Sequence, residues 1–154
     1  MHDVYYSNLN SVDNYINKNA TWYVAPVTKT DVLTLDTIIS EEKKWTWNGK
    51  IGMLSYSEYI YAQSPSSDGY SSCTDNVYEN KSCGIDNWLN IGKDFWTLTP
   101  KTSSTRTTWC VYLEGVHDIS SSSKRSIRPV VILNNNISLS GNGTIGENAF
   151  KIVK

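Results

Sequence analysis

Alternating apolar and polar positions predict that most of the chain forms short β-strands. Successive side chains of a strand point to opposite faces, so alternation marks a strand with one buried face. The pattern predicts strands in "ATWYVAPV" (residues 20–27), "DFWTLTP" (94–100), "RTTWCVYLEGV" (106–116) and "SIRPVVIL" (126–133). The last three are expected to form one block of sheet, with Gly115 at the end of its second strand.

Three further segments extend this pattern. "DVLTLDTIIS" at residues 31–40 alternates apart from Val32 and is predicted as another strand. In "EEKKWTWNGKIGML", Asn48-Gly49 is a strong signal for a two-residue hairpin turn between two strand arms, with Trp45 and Trp47 on one face of the first arm. "GNGTIGENAFKIV" at residues 141–153 predicts a turn and then a short final strand.

Helical spacing is visible in two places. "SNLNSVDNYINKN" at residues 7–19 predicts a short helix whose apolar stripe consists of Leu9, Val12, Tyr15 and Ile16. The segment "SYSEYIYA" predicts a second helix, because Ser55 and Glu58 have the spacing of a capping box and Pro65 follows. The buried face of the second helix is expected to be Tyr56, Tyr59, Ile60 and Gln63. Short strands with two helices predict an α+β fold with an antiparallel sheet.

Residues 64–94 are predicted to be mostly loop, with "NWL" at residues 87–89 as an isolated anchor. Cys73 and Cys83 lie in a polar stretch within this loop, and a disulfide between them would add about 2–3 kcal/mol of stability. Two free thiols are the alternative. Cys110 lies in an apolar strand and is predicted to be a small buried side chain.

Composition and charge exclude some classes of function and favour an extracellular protein. The net charge is −1, 19% of residues are charged and no charge run occurs, so we predict no nucleic-acid surface. No apolar stretch approaches roughly 18 residues in length, so no membrane-inserted segment is predicted. Ser, Thr and Asn are abundant beside ten tyrosines and six tryptophans, which is typical of extracellular proteins, although β-propensity alone also favours Thr, Tyr and Trp. The first ten residues lack the basic and apolar regions of a signal peptide. Residues 1–154 are expected to be one domain. If the protein is exported, they are a fragment of a longer chain or Met1 is an artificial start.

The order of several motifs resembles a group of bacterial surface-protein domains. The motifs are "GKIGMLSYSEYIYA", "NWL", "FWTLTP", "IRPVVIL" and "GNGTIGENAFKI", within about residues 45–152. "SEYIYA" at residues 57–62 and "IRPV" at 127–130 also occupy the places of similar motifs in the formylglycine-generating (sulfatase-modifying) fold. That fold belongs to the C-type-lectin-like class, as do the variable proteins of diversity-generating retroelements.

This resemblance implies a C-type-lectin-like fold with paired terminal elements, two helices, long stapled loops and a ligand face of loops and one β-ribbon. Because a guanidinium can bind several carbonyls at once, we predict that Arg128 fastens neighbouring loops to the core, where Val130 and Ile132 enter it. Pro129 cannot donate to a sheet and is expected to face outward or to begin a strand.

The resemblance also implies that the ligand face lies within residues 102–123. Alternation of residues 106–113 places the more apolar set, including Trp109 and Val111, toward the core. The candidate ligand-binding residues are Arg106, Thr108, Tyr112, Glu114, His117 and Asp118. An ordinary solvated strand is the alternative. A sugar platform made from Tyr56, Tyr59, Tyr61 and Tyr70 is a second, weaker candidate, because Tyr59 is expected in the core.

The leading hypothesis is therefore a non-catalytic adhesion or recognition domain on a bacterial cell surface or in a secreted protein, binding an extracellular protein or glycan. No sequence motif of a hydrolase, zinc protease, nucleotide-binding enzyme or calcium-dependent lectin occurs, so no catalytic residue, cofactor, calcium or other metal is predicted. Two alternatives stay open: a structural module of a pilus-like or cell-wall assembly, and a degenerate formylglycine-generating enzyme.

Overall fold

Two helices and nine short strands make up the described part of a computed structural model of the chain. The structure describes residues 13–28, 34–62, 87–89, 92–102, 105–112, 115–142 and 151–153. After a 3-10 turn at Asp13–Tyr15, the elements are β1 (Ala20–Tyr23), α1 (Leu35–Glu42), β2 (Thr46–Gly49), β3 (Gly52–Met53), α2 (Tyr56–Tyr61), β4 (Phe95–Pro100), β5 (Thr107–Tyr112), β6 (Gly115–Ser120), β7 (Pro129–Val130), β8 (Ser138–Ser140) and β9 (Lys151–Val153). The α+β class is confirmed. No helix of the described part is long and apolar enough to cross a membrane.

Small antiparallel sheets replace the single block predicted from the sequence. β4, β5 and β6 form a three-stranded sheet, while β1 pairs with β2, β3 with β7, and β8 with β9. The third strand of the central sheet is β6 rather than the predicted strand at 126–133, and Gly115 begins β6 instead of ending β5. Gly115 has a φ of +122°, a conformation that glycine adopts without strain, at the point where the chain enters β6.

The prediction of a strand at residues 31–40 is wrong, because α1 begins within that segment. Thr34 caps the helix by accepting a hydrogen bond from Thr37 N at 3.2 Å. Leu35, Ile38 and Glu42 are the buried residues, spaced three and four apart as one face of a helix requires. The alternation of residues 31–40 is therefore incidental, and the helical spacing of the buried residues and the cap determine the structure of residues 35–42.

The prediction of a hairpin at Asn48-Gly49 is also wrong. Both residues lie in β2, opposite Thr21 and Ala20 of β1. The Gly49 carbonyl accepts a hydrogen bond from Trp22 Nε1 at 2.8 Å, and a Cβ on Gly49 would lie 2.2 Å from the ring of Trp47. The glycine therefore serves the close approach of two tryptophan rings rather than a turn.

The capping box that begins α2 is confirmed. Ser55 Oγ accepts from Glu58 N at 3.2 Å, and Glu58 Oε2 accepts from Ser55 N at 2.8 Å. Tyr59 and Ile60 are buried as predicted, and so is Tyr56. Gln63 and Pro65 lie outside the described residues.

The core lies between the two helices and the inner face of the central sheet. The Trp109 ring stacks on Tyr56 with 4.7 Å between centroids, and Tyr59 meets Phe95 edge-on at 6.0 Å. Val27, Leu35, Ile38, Ile60, Val111 and Val116 complete this cluster. The inward assignment of Trp109 and Val111 is confirmed.

The predicted strand at residues 126–133 is mostly peripheral. Only Pro129–Val130 form a strand, which pairs with β3, and Ile132 is 40% exposed rather than in the core. Val130 is only half-buried, because the two helices and the central sheet already enclose the core. Pro129 is exposed and begins β7, as predicted.

Arg128 fastens one loop to the core, as predicted, but among the described residues it does so through a single carbonyl rather than several. Its Nη1 donates to the carbonyl of Leu89, and its guanidinium carbon lies 3.9 Å from the centroid of the Phe95 ring. Leu89 packs against the core, and Asn87 Nδ2 donates to the Tyr59 carbonyl at 2.5 Å. The "NWL" anchor therefore depends on its first and third residues, since Trp88 is 73% exposed.

Segments near the two ends of the described chain are paired. Asn17 N donates to the Ile132 carbonyl and Asn134 N to the Tyr15 carbonyl, both at 2.8 Å. Of the predicted N-terminal helix, the described part is a single 3-10 turn followed by the buried Ile16, while Leu9 and Val12 lie outside the described residues. The predicted final strand is confirmed as β9, which pairs with β8.

Candidate functional site

The outer face of the central sheet brings together three of the six candidate ligand-binding residues. Trp96, Cys110 and His117 are directly opposite one another across β4, β5 and β6. Opposed residues of antiparallel strands share a face, and so do residues two apart on one strand. Thr108 and Tyr112 therefore share a face, as the alternation of β5 predicted, and the pairing of β5 with β6 places His117 on that face as well.

Tyr112 is the centre of this face. Its ring meets His117 edge-on, with 5.5 Å between centroids, and the Arg125 guanidinium lies 5.2 Å from the Tyr112 centroid. Arg125 Nη2 donates to the Tyr112 hydroxyl at 3.2 Å, and Arg125 Nε lies 3.2 Å from Asp94 Oδ2. These contacts hold a tyrosine ring, an imidazole and a guanidinium in one arrangement, which we call the Tyr112 cluster.

Arg125 and Asp94 were missed in the sequence analysis. The hydrogen bond with Tyr112 raises the pKa of Arg125, and desolvation opposes this to a smaller extent. Arg125 Nη1 also donates to the Lys124 carbonyl at 2.7 Å. Each terminal nitrogen of a guanidinium carries two N–H groups. Nη1 and Nη2 of Arg125 each use one of them, for Lys124 and Tyr112, so within the described part of the chain each retains one N–H for a further acceptor. The sequence held one indication of a role for Arg125, namely its place shortly before the "IRPV" motif that contains Arg128.

An open depression of about 480 Å³ adjoins the Tyr112 cluster, lined by residues 92–94 and 124–126. Trp96 N donates to the Ser126 carbonyl at 3.0 Å, and Ser126 N donates to the Asp94 carbonyl at 3.1 Å, so the two walls are tied together. Lys93 and Lys124 are exposed, and neither forms an ion pair with another described residue. With Arg125, the depression has three cationic side chains against the single carboxylate of Asp94 and is therefore electropositive.

A second hollow, of about 230 Å³, lies on the same sheet face. Thr108 lines it with Trp96, Leu98, Met53 and Ser121. Its wall is mainly apolar, and hydroxyl-bearing side chains are part of its lining. Thr108 is half-buried there and can donate or accept one hydrogen bond beside the Trp96 ring.

The other three candidate residues are not part of this arrangement. Asp118 lies opposite Trp109 on the inner side of the sheet, where its carboxylate forms an ion pair with Lys101 Nζ at 2.5 Å. Asp118 therefore does not face its neighbour His117, because successive strand residues point to opposite faces. Arg106 is exposed in the turn before β5, where its carbonyl accepts from Ser121 N at 2.7 Å. Glu114 lies outside the described residues.

Cys110 is buried, as predicted, and its thiol is kept protonated at neutral pH. Its Sγ donates to the Phe95 carbonyl at 3.1 Å. Burial raises the pKa of the Cys110 thiol to about 11, although the charge of Arg125 lowers it in part. Thiolate is the form that binds metals or attacks substrates, so Cys110 has a structural role. The predicted disulfide between Cys73 and Cys83 lies outside the described residues.

The tyrosine platform proposed on α2 does not form as expected. Tyr56 and Tyr59 are fully buried, while Tyr61 is exposed and Tyr70 lies outside the described residues. Within the described ranges no three or more His, Cys, Asp or Glu residues are grouped so that they could hold a metal ion. The prediction that the protein binds no metal stays a prediction.

Comparison with protein-family models, curated proteins and solved structures found no match. The resemblance to C-type-lectin-like surface domains therefore stays a prediction. Function is therefore inferred from the Tyr112 cluster and from the depression next to it.

Proposed function

We propose that this chain is a non-catalytic recognition domain of a bacterial cell-surface or secreted protein, with a C-type-lectin-like fold. The paired terminal segments, the two helices and the β5–β6 ribbon support that fold. The domain binds an extracellular protein or glycan, and the ligand contacts the outer face of the ribbon.

The observation that carries the proposal is the Tyr112 ring held between Arg125 and His117 beside the cationic depression. Aromatic side chains that are already fixed lose little entropy on binding and offer both an apolar face and a hydrogen-bonding group. The Arg125 contacts fix Tyr112 before any ligand arrives. Preorganisation of this kind reduces the entropic cost of association.

The charge of the depression favours an acidic ligand. Lys93 and Lys124 extend into solvent and lack acidic partners in the described part of the chain, so an incoming carboxylate has no internal ion pair to displace. Complementary charge speeds association and selects partners more than it raises affinity. An acidic glycan or an acidic peptide segment fits this surface better than a neutral ligand.

Binding can be tested on an array that contains neutral glycans, uronate- and sialate-bearing glycans, and glutamate-rich peptides. Retention on the acidic probes should decrease as salt is added, because the exposed charges are screened. The double variant Lys93→Gln with Lys124→Gln should weaken retention and reduce its dependence on salt. Tyr112→Phe should weaken retention without changing its salt dependence. The matched control is Lys18→Gln with Lys44→Gln, which removes two exposed lysines that are engaged with Asp13 and Glu41.

Other outcomes would favour the alternative functions. If no acidic probe is retained, or if the control pair weakens retention as much as the Lys93 and Lys124 pair, the proposal is wrong. Discrete self-assembly without any ligand, measured by sedimentation velocity, would favour a structural module. Stoichiometric copper uptake by the reduced protein would favour an enzyme of the formylglycine type.

A further inference from the structure

Two adjoining hollows, of about 200 Å³ and 170 Å³, form a groove between β1 and α2. Tyr23, Ser55 and Glu58 line both of them, so the hollows meet along these three residues. Tyr61 lines the larger hollow and Ile132 the smaller one. We call this surface the tyrosine groove.

Two tyrosine rings border the larger hollow and remain open to solvent. Tyr61, at the end of α2, is 66% exposed, and Tyr23, at the end of β1, is 43% exposed. Ile39 adds an apolar side chain to the wall. Exposed apolar residues are common singly, but two aromatic rings on one concave surface are a feature of binding sites.

Hydrogen-bonding groups lie between these rings. The capping box fixes the Glu58 carboxylate, because Oε2 accepts from Ser55 N at 2.8 Å. Glu58 Oε1 forms no hydrogen bond with another described residue and remains available as an acceptor. Lys43 Nζ lies over the Tyr23 ring, 5.8 Å from its centroid, and can donate a hydrogen bond from beside that ring.

We propose that the tyrosine groove binds one neutral sugar ring. A pyranose has an apolar C–H face, which suits the exposed rings of Tyr61 and Tyr23, and hydroxyl groups, which suit the Glu58 acceptor and the Lys43 donor. Each of the two hollows is smaller than the sites that hold drug-sized ligands, which measure roughly 300–1,000 Å³. The larger hollow, between the two tyrosine rings, therefore suits a single sugar ring.

The charge of the groove separates it from the cationic depression. Glu58 and the buried Glu42 line the larger hollow with a single lysine, whereas the depression has three cations and one carboxylate. An anionic sugar would be repelled by Glu58 at short range, and a neutral sugar is not. This proposal does not rest on the proposed function, since none of its residues belongs to the Tyr112 cluster.

Titration of the ¹⁵N-labelled protein with methyl glycosides of glucose, galactose, mannose and N-acetylglucosamine tests the proposal by NMR. At least one glycoside should give saturable shifts at the amides of Tyr23, Ser55 and Glu58. Tyr61→Ala should weaken that binding about tenfold, because one stacking surface is lost. Glu58→Gln should also weaken it while α2 stays folded, since glutamine serves equally in a capping box.

Trp88→Ala is the matched control, because it removes an exposed aromatic ring that does not line the groove. It should leave the affinity unchanged. The proposal is overturned if no glycoside gives saturable shifts, if the shifts fall elsewhere, or if Trp88→Ala weakens binding as much as Tyr61→Ala. Retention of Tyr61→Ala on the acidic probes reports separately on the Tyr112 cluster.

Discussion

Glu42 offers the most direct test of how the helices are joined to the central sheet. It is the last residue of α1 and only 2% exposed. Its Oε1 accepts from Thr99 Oγ1 of β4 at 2.5 Å and from Ser57 N of α2 at 3.3 Å, and its Oε2 accepts from the Ser57 hydroxyl. Thr99 Oγ1 in turn accepts from Tyr56 N at 2.9 Å, so one carboxylate links α1, α2 and β4.

The magnitude of the effect of Glu42→Ala follows from these contacts. The Ser57 hydroxyl can turn toward Ser55 Oγ, 3.1 Å away, and keep a partner. Ser57 N and the Thr99 hydroxyl are left buried without an acceptor, which costs about 1–3 kcal/mol each. With the cavity added, we expect a loss of about 3–5 kcal/mol in the free energy of unfolding. In a chain of this length the melting temperature should decrease by about 6–20 °C.

Urea unfolding followed by tryptophan fluorescence measures this loss, and Glu41→Ala is the matched control. Glu41 is the neighbouring residue of the same helix, and its ion pair with Lys44 is exposed and worth less than about 0.5 kcal/mol. Glu42→Gln keeps the shape and one carbonyl oxygen, so it should cost less than Glu42→Ala. If Glu42→Ala and Glu41→Ala shift the urea midpoint equally, the buried network does not stabilise the fold and the reasoning is wrong.

Two further predictions concern Arg128 and alkaline pH. Arg128→Lys should destabilise the protein by about 1–3 kcal/mol, because lysine loses the planar stacking on Phe95 and the Nη1 donor that this plane holds at the Leu89 carbonyl. An unchanged urea midpoint would contradict this. Burial raises the pKa of Tyr59 from 10.0 to about 12, partly offset by Arg128, and burial raises the pKa of Cys110 from 9.0 to about 11. The unfolded chain therefore loses these protons first, so the free energy of unfolding should have its full value below about pH 9 and decrease as the pH rises toward 12. Cys110→Ala should remove the decrease between about pH 9 and 11. A free energy of unfolding that stays constant across this range in the unmodified protein would refute the raised pKa values.

Local chemistry was enough to predict several elements from the sequence. The capping box of Ser55 and Glu58 satisfies its own backbone donors, so α2 could be assigned without knowing its surroundings. The alternation in β4 and β5 placed Trp109 and Val111 inward, because a strand with one buried face has no other arrangement for these residues. The role of Arg128 followed from its planar group of donors beside a proline that begins β7.

The candidate site was predicted only in part. Thr108, Tyr112 and His117 share the outer face of the ribbon, which the strand period alone determines once β5 and β6 are paired. That pairing was missed, and with it the separation of Asp118 from His117. Arg125 and Asp94 were missed because they come from segments about thirty residues apart in sequence, which backbone pairing around Phe95 and Ser126 brings together.

The sequence by itself determined the elements that carry a local signal: the capping box of α2, the alternation of β4 and β5, and the proline that begins β7. Tertiary structure decided the rest. Residues 35–42 form a helix because Leu35, Ile38 and Glu42 are buried together, and Gly49 lies in a strand because two tryptophan rings pack against it. Residues 130–133 lie at the periphery because α1, α2 and β6 already enclose the core. Burial is a property of the assembled chain, so a short pattern that is compatible with two environments is settled only when its partners from distant segments are in place.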